Sequence, residues 1–344
     1  MLEVSLVRAR EFGSLASRWD AIVERQPAPR SPFLRSWWLE AVASADDHAV
    51  LVLDDGEVLG GIPLQLGRRR GIPYFRLAGA DFRPVHVDVV ARSGHRDTVE
   101  ATLRSWFRAQ RHGIVAFDGL REHSRLQTAL PPRMHGHELP GNPYVHVPSD
   151  LDELLQRRSR GFRRDLYRPT RRLDDAGYHY RQLRPDETEQ GLAALRRLHV
   201  AQHQQRSTFR RNLDPFCAAA RVGIKRGEFA LHVVAKRDHI IAVDAVFEVG
   251  DHVLDYQSGR DDSDPAFRGA GNVLLGGMIE TYARRGDVRW VDLGRHTAAY
   301  KMRWADGVWP LGVLEGSWGW GPQALEQAKH IRGRARRLAH RTTA

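Results

Sequence analysis

Two strand–turn–strand patterns lying 182 residues apart constrain this chain more than any other feature (Val58 against Ile240). The first runs through the apolar stretch 49–53, then Asp54-Asp55-Gly56, then 58–64. The second runs through 231–235, then Lys236-Arg237-Asp238, then 240–247. Short apolar runs broken by a tight polar turn predict β-hairpins. A helix, a glycine and a strand follow each hairpin. Val99, Leu103, Phe107 and Gln110 form one helical stripe that stops at Gly113, and 114–117 then read as a strand ending at Asp118-Gly119. Leu275, Met278, Ile279 and Tyr282 form the other, stopping at Gly286, and 288–291 lead to Asp292-Leu293-Gly294. A glycine just past a helix suits the left-handed cap conformation. Two echoes at similar offset imply a duplicated α/β unit.

The 344 residues are 42% apolar and 28% charged, which excludes a disordered or collagen-like chain and leaves material for a sizeable core. A stretch rich in Pro, Gly and His at 131–148 reads as a linker, giving an N-terminal domain at 1–147, a C-terminal one at 148–325 and a basic tail at 326–344. The spacing predicts helices over 150–176 (broken near Pro169), 187–205 and 214–226. No run of 18 apolar residues exists, so no membrane span is expected. Met1-Leu2-Glu3-Val4 lacks the form of a signal peptide, and a cytoplasmic location is the expectation. The single cysteine, Cys217, excludes a disulfide scaffold and a multi-cysteine zinc site, and reads as a core residue. His199 and His203 are four apart on a helix, but no third ligand accompanies them; His135, His137 and His146 fall in the linker, and no metal is expected. Trp304, Trp309, Trp318 and Trp320 read as core packing.

The net charge is +11, and 49 of the 53 cations are arginine. Residues 157–172 hold eight arginines and one acid, Asp165; 329–341 hold six cations and no acid. These two segments carry the excess, and the body is near neutral. Basic segments attract phosphates, yet no zinc-finger spacing or aromatic RNA-binding run accompanies these two, and solvated helix faces account for them equally well.

A strand read at 251–258 is followed by a polar loop and then by Arg268-Gly269-Ala270-Gly271-Asn272, where a helix begins. Glycines let the backbone approach a phosphate closely with its N–H groups exposed, a helix N-terminus adds partial positive charge, and Arg268 adds a full one. The dinucleotide fingerprint requires a third glycine where Leu274 stands, and the Walker pattern requires Gly-Lys-Ser/Thr, which is absent. The matching stretch of the first half, 87–94, has no such motif.

On these residues the chain resembles the Gcn5-related N-acetyltransferases (GNAT), and more narrowly their double-domain branch of BioF2-like and CelD-like acetyltransferases and Fem-type aminoacyltransferases. The Arg268–Asn272 motif resembles the superfamily's pyrophosphate-binding loop. The Arg-rich helix at 157–172 with Leu173-Asp174-Asp175-Ala176-Gly177, and Asp292-Leu293-Gly294 followed by Tyr300-Lys301, are similar to features of the branch. No sustained heptad run is present, unlike the coiled-coil insertion of many Fem-type enzymes.

The resemblance implies two tandem GNAT-like α/β domains, each a mixed, mostly antiparallel sheet flanked by helices, the first degenerate and the second binding acyl-CoA. It implies direct transfer of an acyl group, acetyl foremost, from acyl-CoA to an amine of a small molecule or cell-envelope precursor, without metal. Cofactor-binding candidates are Arg268, Gly269, Ala270, Gly271, Asn272 and Ser258. The general base is Asp255 or His296, with Asp244, an acid inside an apolar strand, as a further option. Tyr256 or Tyr300 is the candidate acid for the departing thiolate, and Lys301 a partner for a substrate anion. Two other readings stand beside this one. In one, an amino acid is transferred from aminoacyl-tRNA held by the basic segments; in the other, a non-catalytic protein of this fold binds nucleic acid or a polysaccharide-synthesis partner. The sequence leaves the acceptor open.

Overall fold

Stretches rich in Val, Ile and Leu alternate with helices ended by glycine, and a computed structural model of the chain shows the mixed α/β architecture these patterns dictate. It describes residues 1–131, 134–203 and 208–319; the basic tail and Trp320 lie outside the described residues. In chain order the elements are β1 (Leu2–Arg8), α1 (Ala16–Glu24), α2 (Ser36–Val42), β2 (Asp47–Asp54), β3 (Glu57–Arg69), β4 (Ile72–Leu77), β5 (Val90–Ala91), α3 (Arg96–Ala109) and β6 (Gly113–Arg121). Next come β7 (Met134–His146), α4 (Leu151–Gln156), α5 (Arg160–Asp175), β8 (His179–Gln182), α6 (Thr188–His203), α7 (Leu213–Arg226) and β9 (Phe229–Lys236). The last are β10 (His239–Val249), β11 (His252–Arg260), α8 (Ala270–Arg285), β12 (Trp290–Asp292), α9 (Ala299–Trp304) and β13 (Gly307–Trp318).

The described residues form two compact units, one from Met1–Gln26, Ala43–Leu139 and 311–319, the other from Pro27–Val42 and Pro140–Pro310. A single cut at 147/148 therefore does not describe them, because each unit takes a segment from the other's stretch of chain. The segment carrying α2 joins the second unit because its aromatic side chains pack there, and the end of β13 joins the first because it pairs with β6.

In the first unit β1, β2, β3 and β4 are successive antiparallel neighbours, β4 pairs in parallel with β6, and β6 pairs antiparallel with residues 311–318 of β13. The hairpin between β2 and β3 turns at Asp55 (φ 47°) and Gly56 (φ 79°), two successive left-handed residues as a two-residue hairpin loop requires. Helix α3 buries Val99, Leu103 and Phe107, as its stripe predicts. Its left-handed end residue is Arg111 (φ 49°), not Gly113. Gly113 instead opens β6, where a Cβ would collide with the Trp318 ring. Between β4 and α3 the chain folds back as β5 onto Gly60 and Gly61 of β3, and Val85, Val87 and Val89 are buried.

In the second unit β8, β9, β10 and β11 are antiparallel neighbours, β12 joins β11 in parallel, and residues 144–146 of β7 pair with β12. The stretch expected as a linker is thus largely the strand β7. Tyr144 stacks on Trp309 at 4.3 Å between ring centres, a tertiary contact that outweighs the local Pro and Gly composition. The helix expected at 150–176 breaks at 157–159 rather than at Pro169. Asp150 caps α4 by accepting from the Glu153 N–H (2.8 Å), and Ser159 caps α5 by accepting from the Phe162 N–H (3.1 Å). Pro169 stays inside α5, where a proline ordinarily costs about 3 kcal/mol.

Adjacent residues of β10 face opposite ways. Val246 points with Val253 into a core formed with Leu166 of α5 and Leu275, Met278 and Ile279 of α8. Phe247 points into an aromatic cluster with Phe33, Trp38 and Phe229. Beside that cluster Arg35, 4% exposed, donates from Nε and Nη2 to the two carboxylate oxygens of Glu228 (2.7 and 2.6 Å), and Trp37 Nε1 donates to the same group (2.7 Å). Among the described residues no helix is long and apolar enough to cross a membrane. Arg35→Ala leaves the half-buried Glu228 with Trp37 and the more distant Arg226 (3.6 Å), and is expected to cost about 2 kcal/mol, read as a lowered urea midpoint with unchanged slope.

Candidate active site

The site is built on β11. Its pairing with β10 continues to Arg260, with Tyr256 inserted as an extra residue in a bulge opposite Ala245 and Val246. Its pairing with β12 stops at Leu254 opposite Asp292. Beyond that point the two strands part, and no strand among the described residues pairs with 255–260 on that side. The parting is fixed by the Asp292-Leu293-Gly294 turn. The fully buried Asp292 carboxylate accepts from the Gly294 N–H (2.7 Å) and from Asn142 Nδ2 (3.0 Å). Gly294 has φ 73°, and a Cβ there would lie 2.6 Å from the Asp255 carbonyl oxygen, so only glycine lets the chain pass.

β11 feeds the loop that opens α8. The Asp264 carboxylate accepts from the Ala266 N–H (2.7 Å), and the Phe267 and Arg268 N–H groups bond back to the carbonyls of Asp264 and Pro265. Gly269 then takes φ 88°, and its carbonyl accepts from the Asn272 and Val273 N–H groups. No acceptor among the described residues takes the amides of Gly269, Ala270 and Gly271. These are the orphan donors of a helix N-terminus, with the positive end of the helix behind them. A Cβ on Gly271 would meet nothing closer than Arg260 Cδ at 3.9 Å, so the space over this backbone is open. A diphosphate fits here on its chemistry: free amides, an open approach and the Arg268 guanidinium beside it.

The loop borders a cavity of about 570 Å³ that also takes in Asp244, Asp255, Ser258 and Tyr300. Asp244 and Asp255 stand on neighbouring strands, facing the α8 side. Burial raises both carboxyls, Asp255 to about 6 and Asp244 well above the ordinary range, the latter further because Asp255 is near. Lys301 opposes the rise at Asp255, while Asp292 adds to it. Burial pulls Lys301 itself below its ordinary value against the pull of these three acids, and its Nζ donates to the Arg295 carbonyl (2.9 Å). Burial also raises the Tyr300 hydroxyl, although half of that side chain is exposed.

The structure therefore brings together Asp255, Tyr300, Ser258, Arg268, Gly269, Gly271 and Asn272, with Lys301 acting on Asp255 and Ala270 buried at the start of α8. Tyr256 is not among them. Its ring packs against Phe33, Phe216 and Phe247, because successive residues of β11 face opposite ways and Tyr256 directly follows Asp255. His296 is exposed with φ 76° and lies outside the cavity lining. Asp244, the further option for the base, lines the cavity, and Arg260, which no sequence pattern singles out, lines it too. Cys217 is buried on α7. No cluster of metal-ligating side chains occurs among the described residues.

Residues 160–302 match the family model described as Acetyltransferase (GNAT) domain. The match places this likeness in the second unit, on the stretch that holds the cavity. The solved structures of similar fold include FemX (13% identity, 91% of this chain and 98% of that one, TM-score 0.64). They also include the C-terminal domain of a chain named for lysylphosphatidylglycerol synthetase from Agrobacterium fabrum (14%, 87% and 91%, 0.58) and a conserved protein of unknown function from Bacteroides thetaiotaomicron (12%, 87% and 96%, 0.56). At these identities the likeness is one of fold. A sequence comparison with curated proteins gives no match.

Two outcomes test this site. Gly271→Val should fold with a melting temperature near that of the unaltered chain but fill the approach to the amides, weakening coenzyme A binding at least about tenfold by calorimetry. Asp255→Asn should be more stable than the parent at pH 7. The parent must there keep ionised a group whose folded-state value is raised, which costs stability as pH climbs past the ordinary carboxyl range; the advantage should vanish below pH 4 in urea titrations.

Proposed function

We propose that the chain is an N-acyltransferase that moves an acyl group from an acyl-CoA thioester to an amine, in one cavity and by direct attack. The observation that carries this reading is the continuity of the site: unclaimed helix-start amides at one side of the cavity and a carboxylate raised to about 6 at the other. The thioester supplies an electrophilic carbonyl and a sulfur leaving group. Arg268 and the amides of Gly269, Ala270 and Gly271 hold its diphosphate. The unpaired edge of β11 lies alongside.

Asp255 is the base in this reading. At pH 7 a group at about 6 is mostly ionised and takes the proton of an ammonium entering the cavity. The freed nitrogen attacks the carbonyl carbon; as the C–S bond breaks, the second proton of the nitrogen passes to the departing sulfur, giving the amide and the free thiol, and the proton on Asp255 leaves to solvent. Tyr300 stays a hydroxyl at neutral pH and donates a hydrogen bond to the departing sulfur. Lys301 keeps Asp255 ionised by its charge.

A second reading keeps the same chemistry with an aminoacyl ester of tRNA as donor. It is favoured by the likeness of fold to FemX and by the exposed arginines of α5, and salt-sensitive tRNA binding without any coenzyme A response would establish it.

Thermal stabilisation by acetyl-CoA, lost in Arg268→Glu, and release of free coenzyme A with a panel of amines test the first reading; no stabilisation in the parent chain overturns it. With an amine that is turned over, Asp255→Asn should lower kcat/KM by about 10²–10⁴. The acid limb of the parent's profile should lie near pH 6 and move upward in Lys301→Met, since the lost cation opposed protonation of Asp255.

A further inference from the structure

We infer that Pro169 and Arg172 of α5 are positioning residues for the loop that presents the helix-start amides, so that a helix outside the sheet sets how tightly the donor is held. This inference rests on the reading of that loop as the phosphate cradle. Arg172 donates from Nε to the Ala266 carbonyl (3.2 Å) and from Nη2 to the Arg268 carbonyl. It thus grips the loop on both sides of Phe267 through its main chain, leaving the Arg268 side chain on the cavity. Pro169 lies against Gly269: a Cβ built on that glycine would sit 2.6 and 2.8 Å from the proline Cγ and Cβ. Gly269 is the residue whose left-handed conformation swings the chain into α8.

The proline is out of place as a helix residue and well placed as a wall. It has no N–H for the Asp165 carbonyl, and a sequence selected only for a stable α5 would put another residue there. Its ring confines Gly269 from behind while the two Arg172 bonds confine the loop from the side. Loop amides held in place before a ligand arrives lose less freedom when it binds. Arg172 is exposed, so its bonds to two carbonyls contribute more to the shape of the loop than to the stability of the unit.

The experiment compares the parent with Arg172→Ala, Arg172→Lys and Pro169→Ala. It uses hydrogen exchange over residues 265–273, calorimetry with coenzyme A and with pantetheine (which has no phosphate), and thermal melting. Arg172→Ala should speed exchange at the Arg268 and Asn272 amides and raise the coenzyme A Kd about fivefold or more, with pantetheine binding and the melting temperature little changed. Arg172→Lys, able to reach one carbonyl, should restore part of both. Pro169→Ala should melt at the same or a higher temperature and still bind coenzyme A more weakly, a combination a merely structural role does not produce. Unchanged exchange over 265–273 in both alanine variants overturns the inference, as does equal weakening for coenzyme A and pantetheine. A parent chain that fails to bind coenzyme A defeats the donor reading, and the exchange data then still decide whether α5 holds the loop.

Discussion

The parting of β11 from β12 after Leu254 is the constraint on which the rest of the second unit turns. Two parallel strands ordinarily stay paired along their shared length. Here a buried carboxylate, Asp292, is satisfied by the turn that follows it and by Asn142, and the turn carries the chain across Asp255 instead of beside it. The consequence is an unpaired strand edge inside a folded unit, normally a liability, placed where a ligand has main-chain groups to meet. The bulge at Tyr256 belongs to the same arrangement: one extra residue shifts the alternation that follows, so that Ser258 joins Asp255 and Asp244 on the cavity.

The acids near this opening pull against stability. Asp244 and Asp255 share a desolvated space with one nearby lysine, and burial works against ionising either of them. Such an arrangement is expensive for a fold and useful for moving protons. The aromatic cluster and the Arg35–Glu228 pair on the opposite side of the sheet offset that cost, since they secure α2 against the same unit without touching the cavity.

Much of this was legible in the sequence because it was local. The hairpins, the glycine-ended helix α8 and the helix start at Arg268-Gly269-Ala270-Gly271-Asn272 each announce themselves by period and by glycine placement, and each forms where expected. What the sequence hid was set by distant contacts. The bulge that brings Ser258 to the face of Asp255 depends on the register between β10 and β11, which no local pattern encodes. The linker-like composition of 131–148 gives way to strand β7 because Tyr144 finds Trp309 and β12. Gly113 looks like a helix cap in sequence and serves instead to admit the Trp318 ring. Pro169 looks like a helix breaker, and its partner Gly269 lies 100 residues further on.

The return of β5 onto Gly60 and Gly61 bears on what the repeated architecture is for. In the first unit the segment between β4 and α3 spends its residues on filling: Val85, Val87 and Val89 are buried, and Asp88 is engaged by Arg96 and Ser124. The counterpart of the α8 cradle is therefore stoppered by the chain's own main chain and side chains. On the proposed reading, repetition has not doubled capacity: among the described residues the first unit fills the corresponding segment with valines, and that segment answers only to the needs of packing.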